Sequence, residues 1–169
     1  SYNGKPLLKE ALTSYLANDY ENYKVCVIDN GSSDGTEKYV NEYFPNAHVI
    51  KLIKNVGYSG GLNAGLVYAF DENNYDYALI TNNDVKADKE LIKELGKQAD
   101  EDEMTGFTIG KVYFYDHPDT FQTVGKGEHP VRWNGGHIGN MEKDKGQYDS
   151  PAQRSFCDDI YWLVKRELY

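Results

Sequence analysis

Residues 24–36 read KVCVIDNGSSDGT, an apolar run that ends in a carboxylate and passes into a dense turn sequence. The β-branched residues that precede Asp29 favour a short buried strand. Glycine, serine, asparagine and aspartate dominate the residues that follow, and turns prefer these types. We therefore predict a buried strand over 24–29 whose carboxyl end opens into a polar loop.

The same succession of strand, polar loop and helix recurs along the chain. An apolar run at 48–53 precedes the glycine-rich stretch NVGYSGGLNAG at 55–65, and YALIT at 77–81 precedes NND at 82–84. Helical spacing of apolar residues predicts helices between these strands. Such alternation indicates βαβ units, so we predict an α/β, Rossmann-like fold: a mostly parallel central sheet with helices on both faces.

The later part of the chain is poorer in regular patterns. Strands are predicted at 107–115, 120–124 and 160–164, and the stretch 116–155 is rich in loops. In an open α/β sheet, ligands bind at the carboxyl ends of the strands. The polar loops that follow the first three strands therefore predict a ligand site at one edge of the sheet.

Size and charge limit the function classes. The chain has 169 residues, which suits a single domain, and its net charge of −9 argues against a nucleic-acid partner. An acidic protein that binds a phosphate needs a cation or aimed backbone N–H groups. No apolar run approaches the ~20 residues that span a bilayer, and two cysteines cannot form a disulfide framework. We expect a cytoplasmic protein.

Asp84 is the first candidate ligand-binding residue. It follows a strand in the sequence Asn82-Asn83-Asp84, and a strand-end carboxylate suits Mg²⁺ or Mn²⁺ together with ligand phosphates. Such an ion would join an acidic protein to an anionic diphosphate. The alternative is a carboxylate that caps the following helix.

Asp29 and Asn30 are the second candidates, because polar side chains at a strand end can read a base edge or a ribose. The alternative is an Asx turn within the Asn30-Gly31 loop. Trp133 and His137 flank a flexible glycine pair in the loop-rich part, and an aromatic ring there could stack on a sugar. The alternative for Trp133 is a hydrophobic anchor of its loop.

Taken together, these stretches resemble the glycosyltransferases of family 2, which have the GT-A fold. The resemblance rests on VIDNGSSDGT at 27–36, NVGYSGGLNAG at 55–65 and ITNNDV at 80–85, in this order and with these gaps. The NGSSDGT, YSGG and NND details are most similar to the rhamnosyltransferase-like branch. The resemblance covers the first half of the chain.

The resemblance implies a nucleoside-diphosphate sugar as donor, linked to UDP or dTDP. Ser1, Asp29 and Asn30 would then face the base and ribose, and Asn55 and Asn63 would order the loop beside the nucleotide. Asn83 and Asp84 would meet the ribose–diphosphate and a Mn²⁺ or Mg²⁺ ion. We expect one GT-A-like domain over 1–169, with a nucleotide-sugar-binding half at 1–115 and a partial acceptor half at 116–169.

The resemblance also implies an inverting transfer to a saccharide or lipid-linked acceptor, with Trp133 and His137 on the acceptor side. The family's usual base, an aspartate in a Glu-Asp pair, lies beyond the point that matches Tyr169. We therefore expect an incomplete catalytic domain, in which Asp158 and Asp159 are substitute candidates for the general base. Polysaccharide synthesis at the inner face of the membrane, with peripheral membrane contact, is the expected setting.

Two other functions stay open on the sequence. One is a sugar-nucleotide-binding fragment without catalysis. The other is a nucleotidyltransferase, which would need a glycine-rich first loop with a basic residue, where this chain offers only SYNGK at 1–5.

Overall fold

The computed structural model describes residues 1–128, 131 and 135–169. The α-helices are α1 (Lys5–Leu16), α2 (Thr36–Tyr43), α3 (Gly57–Leu66) and α4 (Leu91–Asp100). A π-helical turn, Val67–Glu72, extends α3, and a 3₁₀ turn, Arg166–Leu168, follows the last strand. The strands are β1 (Cys26–Asp29), β2 (His48–Lys51), β3 (Tyr77–Thr81), β4 (Phe107–Thr108), β5 (Val112–Phe114), β6 (His117–Thr123) and β7 (Tyr161–Lys165).

The strands form three small sheets rather than the predicted mostly parallel central sheet. Among the strands of the described residues, only β1 and β2 pair in parallel, with Asp29 opposite Lys51. In the second sheet β7 lies between β3 and β4 and is antiparallel to both. In the third, β5 and β6 form an antiparallel pair. The prediction of a mostly parallel sheet was wrong because an apolar run shows that a strand is buried, but not which strand it pairs with or in which direction.

Ser1 links the parallel pair to β3. Its N-terminal ammonium donates to the Ile28 carbonyl at 2.7 Å, and its own carbonyl accepts from the Asn30 N–H at 2.8 Å. Its hydroxyl accepts from the Asn83 side-chain amide at 3.0 Å. The carboxyl ends of β1 and β3 are therefore held beside each other through one residue.

Separate apolar clusters support the first and second sheets. Leu8 and Leu12 of α1 pack with Val27 and the fully buried Val40 beside the parallel pair. On the second sheet, α4 packs its apolar face against β7, and Phe70 of the π-helical turn packs against β3 and β7. Within the described residues, no helix has the length and apolar character that crossing a membrane requires.

Candidate functional site

Asp29 ends β1 and is completely buried. Its Oδ1 accepts from the Ser32 N–H at 2.8 Å, which fixes the start of the following loop and matches the Asx-turn alternative. Its Oδ2 has no hydrogen-bond partner among the described residues, and the Lys51 ammonium lies 4.0 Å away. A buried carboxylate oxygen without a donor is costly. Asp29 therefore combines a turn role with a buried oxygen that lacks a donor among the described residues.

Asn30 is predicted to face the base, but its side chain contacts the start of α3 instead. Its side-chain amide donates to the Gly57 carbonyl at 2.9 Å, and its Oδ1 accepts from the Val56 N–H at 2.9 Å. The side chain is buried, and both of its ends are occupied by the glycine-rich loop. In this structure, Asn30 bridges two loops.

The close approach of these loops depends on Gly31. Its φ of +75° lies in the left-handed region, and a Cβ there would come within 2.6 Å of the Lys54 carbonyl carbon. Only a residue without a Cβ fits both the backbone conformation and this contact. Asn55, exposed in the neighbouring loop, accepts from the Gly57 N–H at 2.8 Å and so shapes the start of α3, while Asn63 lies exposed on that helix.

Asn83 and Asp84 lie beyond the end of β3. Asn83 is held by its bond to Ser1, and Gly4 leaves the space for this pair, since a Cβ on Gly4 would fall 2.2 Å from the Asn83 amide nitrogen. The Asp84 side chain is exposed. Because Asn83 is held by Ser1 and the neighbouring Asp84 side chain is exposed, Asp84 is accessible to a ligand.

A divalent cation fits this position only with help from a bound ligand. Within residues 1–128, 131 and 135–169, no group of three or more His, Cys, Asp or Glu side chains could hold a metal ion. Mg²⁺ nevertheless needs only one or two carboxylates when phosphate oxygens and water complete its shell. Asp84 is compatible with that arrangement.

Asp158 and Asp159, the predicted base candidates, lie in very different environments. Asp158 is buried, and its Oδ1 contacts the Lys126 ammonium at 2.8 Å and the His137 Nδ1 at 3.2 Å. Its Oδ2 accepts from the Thr123 hydroxyl at 2.6 Å. Burial raises the pKa of Asp158, but the bonds from Lys126 and Thr123 outweigh burial and hold the pKa below its usual range.

Asp159 is exposed, and its backbone carbonyl accepts from the Tyr58 hydroxyl at 3.3 Å. Partial burial, followed by the nearby Asp159 charge, raises the pKa of Tyr58. The contact between Tyr58 and Asp159 therefore joins the start of α3 to the segment before β7. Of the two carboxylates, Asp159 is the one whose oxygens remain accessible.

The predicted acceptor residues are only partly described. Trp133 lies outside the described residues. His137 is described, with its side chain 41% exposed and its Nδ1 turned toward Asp158. Sequence reasoning missed Tyr58, Thr123 and Lys126, because their partners lie far away along the chain and no local pattern indicates the contacts.

Comparison with known proteins identifies the family. Glycosyl transferase family 2 matches over residues 1–169. The chain is 39% identical over 69 residues to the low-salt glycan biosynthesis hexosyltransferase Agl10 of Haloferax volcanii, covering 41% of this chain and 22% of that protein. It is 33% identical over 69 residues to an uncharacterized glycosyltransferase of Haemophilus influenzae, covering 39% of this chain and 21% of that protein. The chain thus spans about a fifth of these relatives.

Solved structures agree with this family. S. aureus TarS 1–349 in complex with UDP matches with a TM-score of 0.58 and 24% identity, over 68% of this chain and 34% of that one. TarS 1–349 matches with a TM-score of 0.52 and 26% identity, over 60% and 30% of the two chains. The predicted α/β fold of GT-A type is confirmed, although the sheets of this chain are small and mixed. By the match over residues 1–169, the chain belongs to glycosyl transferase family 2.

Proposed function

We propose that this chain binds a nucleoside-diphosphate sugar, UDP- or dTDP-linked, and belongs to an inverting glycosyltransferase. The observation that carries the proposal is that Asp29 and Asp84 lie at the ends of β1 and β3, which Ser1 joins. Asp29 presents a buried oxygen without a donor, and Asp84 is exposed beyond β3. TarS, a structure similar in fold, has been solved with UDP. A base or ribose could donate a hydrogen bond to Asp29, and Asp84 could hold a divalent cation that the diphosphate oxygens also bind.

The other donor residues support these two. Ser1 and Asn83 are hydrogen-bonded between the strand ends, where they would meet the ribose and its phosphate. Asn55 and Asn63 would order the glycine-rich loop beside the nucleotide. Asn30 would act indirectly, because its side chain holds the start of α3 against the loop after β1. The resemblance of the NGSSDGT, YSGG and NND details suggests a rhamnosyltransferase-like donor.

The proposed reaction is a direct displacement at the anomeric carbon. The acceptor oxygen forms the new C–O bond while the bond to the diphosphate oxygen breaks, so the diphosphate leaves with the electron pair. Mn²⁺ or Mg²⁺, when bound at Asp84, would supply Lewis-acid stabilisation of that charge. Asp159 would take the acceptor proton, a step typically worth ~10²–10⁴-fold. We favour Asp159 over Asp158 because both oxygens of Asp158 are occupied.

The acceptor is proposed to be a saccharide or a lipid-linked saccharide held by the half of the chain at 116–169. Trp133 and His137 are its proposed contacts. A lipid-linked acceptor would bring the protein to the inner face of the membrane through peripheral contact, with the chemistry in the cytoplasm.

The test is release of UDP or dTDP from UDP-glucose, UDP-N-acetylglucosamine and dTDP-rhamnose, with Mn²⁺ or Mg²⁺. Release that requires the metal and is lost in Asp84→Asn supports the proposal. Asp116→Asn, which removes another exposed carboxylate, is the matched control and should keep wild-type release. Nucleotide binding without release would instead favour a non-catalytic binding fragment. Pyrophosphate release from a nucleoside triphosphate and a sugar phosphate would favour a nucleotidyltransferase.

A further inference from the structure

The buried cluster around Asp158 fixes the direction of each hydrogen bond. Lys126 and Thr123 can only donate to an ionised carboxylate, and they do so at 2.8 and 2.6 Å. The lowered pKa of Asp158 agrees with an ionised side chain. The His137 Nδ1 lies 3.2 Å from Oδ1, and a ring nitrogen that faces an ionised carboxylate oxygen is expected to carry a hydrogen.

This arrangement selects one tautomer of His137. A neutral imidazole carries one hydrogen, and when that hydrogen lies on Nδ1 the Nε2 lone pair can accept a hydrogen bond. The His137 side chain is 41% exposed, so a ligand could reach the ring. The charged groups that the structure places around the ring are Asp158 and Lys126, with Asp159 following in the chain.

The cluster lies at the junction of the two halves of the chain. Asp158 binds His137, the Asp159 carbonyl accepts from Tyr58 in α3, and the Ile160 carbonyl accepts from the Asn82 N–H at 3.1 Å. Extended residues are ~3.3 Å apart, so these successive contacts fall within about 7 Å along the chain. The segment that holds His137 therefore also contacts Tyr58 and the loop after β3, which we propose bind the donor.

We propose that Asp158 is a positioning residue that holds His137 as the Nδ1–H tautomer, so that Nε2 accepts a hydrogen bond from a hydroxyl group of the saccharide acceptor. This inference rests on the proposed function. Both Asp158 oxygens have partners, which disfavours Asp158 as the proton acceptor. The inference gives Asp158 a positioning role instead. If Asp158 had only a structural role, its contacts with Lys126 and Thr123 would be sufficient, and the tautomer of His137 would not matter.

The first test needs no substrate. Long-range ¹⁵N–¹H spectra of the wild-type protein distinguish the tautomers of each histidine, and His137→Gln identifies the signal of His137. We expect a bare Nε2 and a protonated Nδ1. Asp158→Asn should move His137 toward the Nε2–H form. A wild-type His137 with its hydrogen on Nε2 would overturn the inference.

The second test measures saccharide binding. In saturation-transfer spectra with UDP and the diamagnetic Mg²⁺ present, the probes are the methyl glycosides of glucose, galactose, rhamnose and N-acetylglucosamine. We expect at least one to bind, and to bind about 3- to 10-fold more weakly in His137→Ala and Asp158→Asn, the value of one lost hydrogen bond. His117→Ala, at another exposed histidine, should bind like wild type.

Binding that is unchanged in His137→Ala, or no binding of any probe, would overturn the inference. UDP binding to the same samples tests the proposed function separately. If UDP still binds, only the role of His137 and Asp158 fails. If UDP does not bind either, the proposed donor site fails as well.

Discussion

The Asn30 side-chain amide donates to the Gly57 carbonyl at 2.9 Å, which joins the loop after β1 to the start of α3. The same side chain accepts from the neighbouring Val56 N–H, so the contact is reciprocal. Gly31 adds a close backbone contact beside it. The two loops that we propose hold the nucleotide are therefore held together by the protein itself.

Substituting Asn30 with aspartate tests this bridge. The carboxylate can still accept from Val56, but it cannot donate to the Gly57 carbonyl and instead places an oxygen against it. Leaving buried polar groups unsatisfied costs about 1–3 kcal/mol, so Asn30→Asp should lower the free energy of unfolding by that amount. Urea denaturation measures it. Asn41→Asp, an equal charge change at an exposed position of α2, should stay within about 0.5 kcal/mol of wild type. Equal effects of the two changes would argue against the bridge.

Gly31 and Gly35 form a matched pair. Both have positive φ angles, +75° and +80°, but a Cβ at Gly31 would collide with the Lys54 backbone whereas one at Gly35 would meet nothing within 4 Å. Gly35→Ala should therefore cost only the left-handed strain, about 1–2 kcal/mol. Gly31→Ala should cost clearly more and weaken UDP binding, because the loops must move apart. Thermal unfolding and UDP titration of both variants provide the comparison. A Gly31→Ala protein as stable as Gly35→Ala would show that the loops are not in contact.

Asp144 should contribute to stability against acid. Hydrogen bonds from the Tyr113 hydroxyl, the Gly146 N–H and the Lys111 ammonium lower the pKa of Asp144 to about 2. Because the folded pKa lies below the unfolded value of about 3.9, the contribution is full above that value and is lost as the pH falls toward the folded pKa. Asp144→Asn should remove this part of the acid transition, measured as unfolding free energy against pH.

The exposed Asp116 offers the control for that experiment. Asp116→Asn should leave the acid limb of the stability profile as in wild type. An acid limb that is the same for wild type and Asp144→Asn would contradict the assigned hydrogen bonds.

Local sequence was sufficient to predict most helices and strands, but it was insufficient to predict the contacts between them. The strand predicted at 77–81 has the observed bounds, because a short apolar run is a local signal. The direction of β7 could not be predicted, since burial alone does not specify a partner strand. Asp29 and Asp84 were predicted as ligand-binding residues from their position at strand ends, and this stays a prediction.

The roles of Asn30 and Asp158 show where such reasoning ends. Asn30 contacts residues 26 and 27 positions away, and Asp158 contacts Thr123 at a separation of 35. Polar residues at strand ends look alike in a sequence whether they face a ligand or another loop. Only the folded arrangement shows that Asn30 bridges loops and that Asp158 is enclosed while Asp159 is exposed.

The nucleotide-sugar site is the central claim, and thermal unfolding with UDP, dTDP or GDP, each with and without Mn²⁺, tests it most directly. A ligand at ~100 times its dissociation constant adds ~2.7 kcal/mol, which should raise the midpoint by roughly 5–10 °C at this size. We predict such a rise for UDP or dTDP, dependent on Mn²⁺, lost in Asp84→Asn and kept in Asp116→Asn. The absence of a shift with every nucleotide, or a shift that persists in Asp84→Asn, would contradict the account.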